Sequence, residues 1–167
     1  EDVKAYLDFH NLQNIALLGH SMGGKIAMLF STIYPDLVEK LIIADIGPKY
    51  YAPHHQSILE ALNAVDFSKK PSRSDVDEII SKYISDFGTK QFLLKNIYWK
   101  DNANNLMDWR FNLKVINENY ENVCAGVPEF VSDVKTLIIK GEKSHYISDS
   151  DRLDLKKRFP HSTLVVL

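Results

Sequence analysis

One stretch, residues 14–35 (NIALLGHSMGGKIAMLFSTIYP), constrains the fold of this chain more than any other. It opens with an apolar run, Ile15–Leu18, which has the length and composition of a strand buried on both faces. A glycine-rich turn follows, and apolar residues then recur at helical spacing, at positions 26, 29, 30 and 33. Pro35 predicts the end of that helix. We therefore expect a buried strand, a tight turn and a buried helix.

The turn carries the pattern Gly-x-Ser-x-Gly, with Ser21 at its centre. A serine hydroxyl is a weak nucleophile unless it is exposed and held beside a base, and a sharp strand-to-helix turn, the nucleophile elbow, exposes it. Because strand and helix pass close together there, we expect Gly19 and Gly23 to be needed for their lack of bulk. The first N–H groups of the helix point at such a site, so the Met22 amide is predicted to bind a developing oxyanion.

Two other interpretations of this turn are open. Residues 19–25 also fit the phosphate-loop pattern G-x-x-x-x-G-K, but Ile26 stands where that pattern requires a Ser or Thr to bind magnesium. A short pattern of this kind also recurs by chance in glycine-rich turns that contain an incidental serine. The strand and helix patterns on either side favour the nucleophile.

A second apolar run, Leu41–Ala44, predicts another buried strand, and Asp45 directly follows it. Two such strands joined by a helix form a right-handed unit with the strands parallel and adjacent. The carboxyl ends of parallel strands share one edge of the sheet, where ligands bind in open α/β folds. We therefore expect Ser21 and Asp45 to lie at the same edge.

The middle of the chain has a different pattern, with helical periodicity and no further strong strand signal. The clearest example is residues 74–87, where Ser74 is the predicted N-cap. This stretch is too long for an ordinary connection between strand and helix. The predicted organisation is a core part over residues 1–48, a helical cap inserted over residues 49–131, and a continuing core part over residues 132–167.

Composition excludes several classes of function. A formal net charge of −2, without a long Lys/Arg cluster, does not favour nucleic acid or an anionic membrane surface as a partner. No apolar run is long enough to span a bilayer, so stable membrane insertion is not expected. The only cysteine, Cys124, precludes an internal disulfide and fits a reducing, cytoplasmic location. No metal-ligand spacing is present, and we expect neither a metal nor another cofactor.

The two ends of the sequence fall inside predicted elements. It starts within an amphipathic helix and stops on the apolar residues 164–167. A doubly wound sheet with a serine nucleophile needs strands before this point and a loop after it. We therefore expect the chain to be a fragment of a longer protein.

Several segments together resemble the α/β-hydrolase superfamily, in particular the YbfF-type bacterial esterases and the abhydrolase-11 proteins of its esterase branch. They are GHSMGGK at 19–25, LIIADIGP at 41–48, QFLLKN at 91–96, WRFN at 109–112 and RFP at 158–160. The resemblance runs through nearly the whole chain. It implies an α/β-hydrolase fold, a mostly parallel doubly wound sheet with a small helical cap, and a serine esterase activity.

The resemblance also assigns the acid of a Ser-His-Asp triad. Most α/β-hydrolases carry it three residues after a glycine that follows the strand after the cap, and Ser144 occupies that position here. Asp45 matches the acid position of the family that the chain resembles, and would orient the histidine. Asp45 as a simple turn residue, or Asp149 or Asp151 as the acid, are the alternatives.

The base is expected on the loop after the last strand, beyond Leu167, and His145 is the one internal candidate. The predicted substrate is a small acyl ester or thioester. Hydrolysis of a C–C bond or acyl transfer on the same fold, and a binding protein without catalysis, are the alternative functions.

Overall fold

A four-stranded parallel sheet forms the centre of the computed structural model, which describes residues 1–167. Numbered in chain order, the helices and strands are α1 (Asp2–Phe9), β1 (Ile15–His20), α2 (Met22–Ile33), β2 (Val38–Ala44), α3 (Gln56–Asn63), α4 (Arg73–Ser81), α5 (Phe87–Leu94), β3 (Ile97–Asp101), β4 (Leu106–Trp109), α6 (Leu113–Glu118), α7 (Tyr120–Cys124), β5 (Lys135–Lys140), α8 (Arg152–Arg158) and β6 (Ser162–Val166). Short 3₁₀ turns occupy Pro35–Leu37, Phe67–Lys69 and Asp149–Asp151. The chain forms two units, residues 1–51 with 125–167, and residues 52–124.

The strand order in the first unit is β1-β2-β5-β6, and every pair is parallel. The register aligns the last residues of neighbouring strands: His20 pairs with Ala44, and Ala44 pairs with Ile139. The segments that follow β1, β2 and β5 therefore leave the sheet side by side at one edge. The predicted α/β class and the parallel arrangement of the first two strands are confirmed.

Helix α2 packs on β1 and β2, but not through the apolar stripe that its sequence suggests. Ile26, Leu29 and Ile33 are 41–56% exposed, and of the four stripe positions only Phe30 is buried. The face that packs inward holds the small residues Gly24, Ala27 and Ser31, together with the larger Met28. Small residues allow the helix axis to approach the sheet closely, which bulky Ile and Leu side chains would prevent.

Within residues 1–167, β1 is the outer strand next to β2, and its exposure alternates, with Leu18 61% exposed. Burial of β1 on both faces stays a prediction for the full-length protein. Helix α2 covers one face of β1. The core of this unit lies between α2, the central strands and α8, where Met28, Ile43 and Phe159 are fully buried.

Residues 52–124 form a core of their own, centred on Val76, Ile80 and Ile97. They are not purely helical, contrary to prediction, because β3 and β4 form an antiparallel pair. Ile97 is buried, whereas Tyr98 and Trp99 are increasingly exposed, and Asn105 in the connection takes a left-handed conformation (φ 53°). The expected cap domain of residues 49–131 stays a prediction.

Helix boundaries in this unit also differ from prediction. The capping box of α4 is formed by Ser72 and Asp75, two residues earlier than the predicted N-cap Ser74. A new helix, α5, begins at Phe87 after its N-cap Asp86, whose carboxylate accepts a hydrogen bond from the Thr89 N–H at 2.6 Å. Local side-chain caps set these boundaries, whereas the apolar stripe runs on across the break.

None of the helices has both the length and the apolar character that crossing a membrane requires.

Candidate active site

Ser21 stands between β1 and α2 in a backbone conformation that few L-residues adopt, with φ 52° and ψ −122°. Two sets of hydrogen bonds hold it there. Its N–H donates to the Ala44 carbonyl at 3.1 Å, which ties the turn to the end of β2. Its own carbonyl accepts from the Gly24 N–H at 2.8 Å, the first bond of α2. The surrounding structure thus maintains a conformation that costs roughly 1–3 kcal/mol.

Close packing of the turn explains two of its three glycines. A Cβ atom on Gly19 would overlap the backbone carbonyl of Gly23, and one on Gly24 would overlap Ile46. A Cβ atom on Gly23 would meet no atom within 4 Å. The requirement for lack of bulk predicted at Gly19 therefore holds, but the second crowded position is Gly24 rather than Gly23. The helix turns the α-carbon of Gly24, not that of Gly23, toward β1.

The amide groups that begin α2 surround Ser21. Met22 and Gly23 are the first residues of this 12-residue helix, so the helix itself supplies no acceptor for their N–H groups. The Met22 side chain is half exposed. The positive end of the helix dipole lies at the same place, which suits the binding of a negatively charged oxygen.

Asp45 is fixed at the end of β2 by bonds to β5 and to the loop that follows β5. Its N–H donates to the Ile139 carbonyl at 2.8 Å, and its Oδ1 accepts from the Gly141 N–H at 3.1 Å. Its backbone is left-handed, with φ 54°. Because the Ser21 N–H binds the carbonyl of Ala44, the residue directly before Asp45, the structure brings the predicted nucleophile and acid to the same edge.

Ser144 lies close to the same carboxylate. A Cβ atom placed on Gly141 would be 3.2 Å from the Ser144 Cβ and 3.7 Å from Asp45 Oδ1. The position after β5 and the position after β2 are therefore neighbours in space. Asp45 stands next to the place where a carboxylate from the β5 loop would lie.

The alternative acids have structural roles. Asp151 accepts from the Ser148 N–H at 2.7 Å and pairs with Lys49 at 2.6 Å. These hydrogen bonds and the Lys49 charge hold the pKa of Asp151 below its usual value, although burial acts in the opposite direction. Asp149 is exposed and pairs with Arg152. Both residues begin the helical segment 149–158, as helix first-turn acids do.

The histidines occupy several different settings. His145 is exposed on the loop after β5, and His20 is exposed at the end of β1. In the other unit, the rings of His54 and His55 are 3.9 Å apart, and His55 Nδ1 is 3.1 Å from the Tyr120 hydroxyl. Burial, reinforced by the neighbouring His54, lowers the pKa of His55. No cluster of three His, Cys, Asp or Glu side chains in residues 1–167 has an arrangement suited to a metal ion.

Tyr51, to which sequence reasoning assigns no role, lies at the same edge. Its hydroxyl accepts from the Gly47 N–H at 2.8 Å and donates to the Tyr146 carbonyl at 2.7 Å. Burial is the main cause that raises the pKa of this hydroxyl to about 12. The only signal in the sequence is its position four residues after Gly47, which has no meaning until the turn is known.

Residues 1–69 match the family described as alpha/beta hydrolase fold. A solved structure described as a marine microorganism esterase superposes on 99% of this chain and 66% of its own, with a TM-score of 0.91 and 35% sequence identity. The chain belongs to the α/β-hydrolase superfamily. The resemblance noted in the sequence is thereby confirmed.

Two curated relatives match this α/β-hydrolase over most of its sequence. Esterase YbfF of Escherichia coli is 32% identical over 168 residues, which are 100% of this chain and 63% of that protein. The sn-1-specific diacylglycerol lipase ABHD11 of Danio rerio is 33% identical over 152 residues, 86% of this chain and 47% of that protein. The chain thus spans about half to two thirds of the length of these relatives.

Proposed function

We propose that this chain supplies the nucleophile and the acid of a serine hydrolase that cleaves small acyl esters or thioesters. The observation that carries the proposal is the Ser21 turn, with its positive φ, its tie to the end of β2 and the helix N-terminus beside it. Strained backbone conformations of this kind cluster at active sites, which supports a catalytic role for Ser21.

In the proposed first step, Ser21 Oγ attacks the ester or thioester carbonyl while a histidine base takes its proton. The C–O or C–S bond then breaks, the alcohol or thiol leaves with that proton, and an acyl-enzyme remains. The carbonyl oxygen gains negative charge during the attack, and the Met22 N–H is the proposed donor to it. Stabilisation of that charge by fixed backbone donors is a large part of catalysis in acyl transfer. Water then attacks the acyl group and releases the acid.

Asp45 is the proposed acid because its carboxylate is held at the edge that carries Ser21. Oδ1 of Asp45 accepts one hydrogen bond from the Gly141 N–H, and a carboxylate oxygen can accept more than one. The remaining acceptor capacity is proposed to bind a histidine N–H, which fixes the tautomer and stabilises the imidazolium form. We propose that this histidine follows β6 beyond Leu167 in the full-length protein. His145 is the alternative within the chain.

The names of the relatives support an ester as the substrate. One relative is named an esterase, and the other is named an sn-1-specific diacylglycerol lipase. We propose the ester class rather than one of these substrates, because a shared fold hosts many reactions and the pocket decides between them.

Labelling of the full-length protein with a fluorophosphonate, which reacts with activated serines, tests the proposal. We expect labelling and ester hydrolysis in the wild-type protein, and loss of both in Ser21→Ala, with hydrolysis reduced at least 10³-fold as an order of magnitude. The matched control is Ser144→Ala, at the same edge, which is expected to keep both. Hydrolysis by Ser21→Ala within about tenfold of wild type would show that Ser21 is not the nucleophile.

The same measurement on residues 1–167 locates the base. If only the full-length protein is labelled, the histidine lies outside this chain. If residues 1–167 are labelled as well, His145→Ala becomes the next variant to measure.

A further inference from the structure

Tyr51 connects the two loops that meet at Asp45. Its hydroxyl binds the N–H of Gly47, two residues after Asp45, and the carbonyl of Tyr146, on the loop after β5. That same loop begins with Gly141, whose N–H binds the Asp45 carboxylate. One loop therefore carries the carboxylate, the other binds it, and one hydroxyl joins them.

The ring of Tyr51 is itself held by two lysines. Lys25 Nζ lies 4.9 Å from the ring centroid and donates to the Ala125 carbonyl at 2.6 Å. Lys49 Nζ lies 5.5 Å from the centroid and pairs with Asp151. The two ammonium groups attract the face of the Tyr51 ring through cation–π contacts, which limit the orientations that the ring can take. Because Lys25 belongs to α2, the contact also relates Tyr51 to the helix that starts at Met22.

The neighbouring backbone closes the same junction. The Val127 N–H donates to the Pro48 carbonyl at 2.7 Å, and a Cβ atom on Gly126 would lie 3.1 Å from the Tyr50 nitrogen. Residues 47–51 and 125–127 are therefore in contact. They directly precede and directly follow residues 52–124 in the chain. We name the Tyr51 hydroxyl and its two partners, the Gly47 N–H and the Tyr146 carbonyl, the Tyr51 clamp.

We propose that Tyr51 is a positioning residue, which acts on hydrolysis through Asp45 by holding the loops after β2 and β5 in one arrangement. This inference rests on the proposed function. Asp45 has a left-handed backbone, and its bonds to the Ile139 carbonyl and the Gly141 N–H hold it in place. Freedom of about 1 Å in a catalytic group lowers the rate by as much as about 100-fold.

The hydroxyl is suited to this role because it makes both of its bonds at ordinary pH. Burial holds its pKa near 12, so it stays protonated and donates to Tyr146 while it accepts from Gly47. Phenylalanine would keep the ring beside both lysines and remove both hydrogen bonds of the hydroxyl. Tyr51→Phe is therefore a clean probe of the hydroxyl.

The first test compares Tyr51→Phe with Tyr50→Phe in the full-length protein. We expect Tyr51→Phe to lower kcat at least tenfold and to change KM less than threefold, on the order of magnitude of a misplaced catalytic group. Tyr50 is the adjacent, exposed tyrosine, and Tyr50→Phe is expected to leave both constants unchanged. Equal kinetics in the two variants would overturn the proposal.

A double-mutant cycle shows whether Tyr51 acts through Asp45. In the Asp45→Asn background, Tyr51→Phe is expected to reduce kcat by less than about twofold, because the carboxylate that it positions is already absent. A tenfold reduction in that background as well would mean that the effect of Tyr51 is general, and the proposal would fail.

Amide hydrogen exchange at Gly47 tests the clamp without any activity measurement. Its N–H is expected to exchange at least tenfold faster in Tyr51→Phe, and at the wild-type rate in Tyr50→Phe. An unchanged rate in Tyr51→Phe overturns the clamp, whatever the kinetics show. If Ser21→Ala keeps hydrolysis, the proposed function fails, and the exchange result still decides whether Tyr51 holds Gly47.

Discussion

Ser21 combines a reactive side chain with a strained backbone, and the two contributions are separable by substitution. Alanine and glycine both remove the hydroxyl, but only glycine adopts φ 52° and ψ −122° without steric cost. We therefore predict that Ser21→Gly has a free energy of unfolding about 1 kcal/mol higher than Ser21→Ala. Denaturant unfolding of the two variants measures the difference.

A matched pair at Ser74 serves as the control. Ser74 lies in α4, where the backbone is helical, so Gly is expected to be less stable than Ala there. If glycine is the less stable residue at both positions, the Ser21 backbone stores no strain.

Asp45 can be probed with little change in shape. Asparagine keeps an oxygen that accepts from the Gly141 N–H, but it carries no charge. We predict that Asp45→Asn lowers kcat by up to about 10⁴-fold, the loss that follows when a triad acid becomes an amide. The acidic limb of the kcat/KM profile should also move to lower pH, because loss of a nearby negative charge lowers the pKa of the histidine.

The comparison variant for this prediction is Asp149→Asn. Asp149 is exposed and pairs with Arg152, so its variant is expected to keep kcat within about threefold. A large loss in Asp149→Asn, with little effect in Asp45→Asn, would transfer the role of the acid to Asp149.

At the scale of elements, the contact between β1 and α2 sets the position of Ser21. A Cβ atom on Gly19 would enter the Gly23 carbonyl, whereas one on Gly23 would meet open space. Gly19→Ala is predicted to lower the free energy of unfolding by about 2 kcal/mol or more, as overpacking against backbone does. Gly23→Ala should be neutral or raise it by up to about 1 kcal/mol, since alanine favours helix. Denaturant midpoints compare the two, and equal destabilisation would contradict the packing described for this turn.

The adjacent ends of β2 and β5 suggest that the acid can be supplied from either strand. Ser144 lies beside the Asp45 carboxylate, at the position where many α/β-hydrolases place their acid. We predict that the double variant Asp45→Asn with Ser144→Asp has a kcat at least about tenfold higher than that of Asp45→Asn alone. The control places the new carboxylate at Ser150 in the same background, where no recovery is expected. Failure of Ser144→Asp to exceed this control would show that the two positions are not interchangeable.

At the scale of the whole molecule, Tyr51 couples stability to alkaline pH. Its pKa is about 12 in the folded protein and 10.0 in its ordinary state, so the unfolded chain loses this proton first. The free energy of unfolding contributed by Tyr51 is therefore complete below about pH 10 and is lost as pH rises toward 12. We predict a steeper fall in stability between these limits for the wild-type protein than for Tyr51→Phe, measured by denaturant unfolding at each pH. Tyr50→Phe should follow the wild type, and identical slopes in all three would contradict the shift.

The sequence by itself determined the parallel strand-helix-strand unit, Ser21 in its turn and Asp45 at the next strand end. These features follow from local patterns, because apolar periodicity, glycine and the order of elements act over a few residues. It did not predict the β3–β4 pair, since those strands are stabilised by each other and neither is strongly periodic alone. Nor did it predict which face of α2 is buried, because α2 is apolar on several sides. The close packing of α2 on the sheet decides that Gly24 faces the sheet and Ile26 faces outward. The tertiary structure alone placed Tyr51 between Gly47 and Tyr146, residues 4 and 95 positions away, because a hydroxyl acquires its partners only when the chain has folded around it.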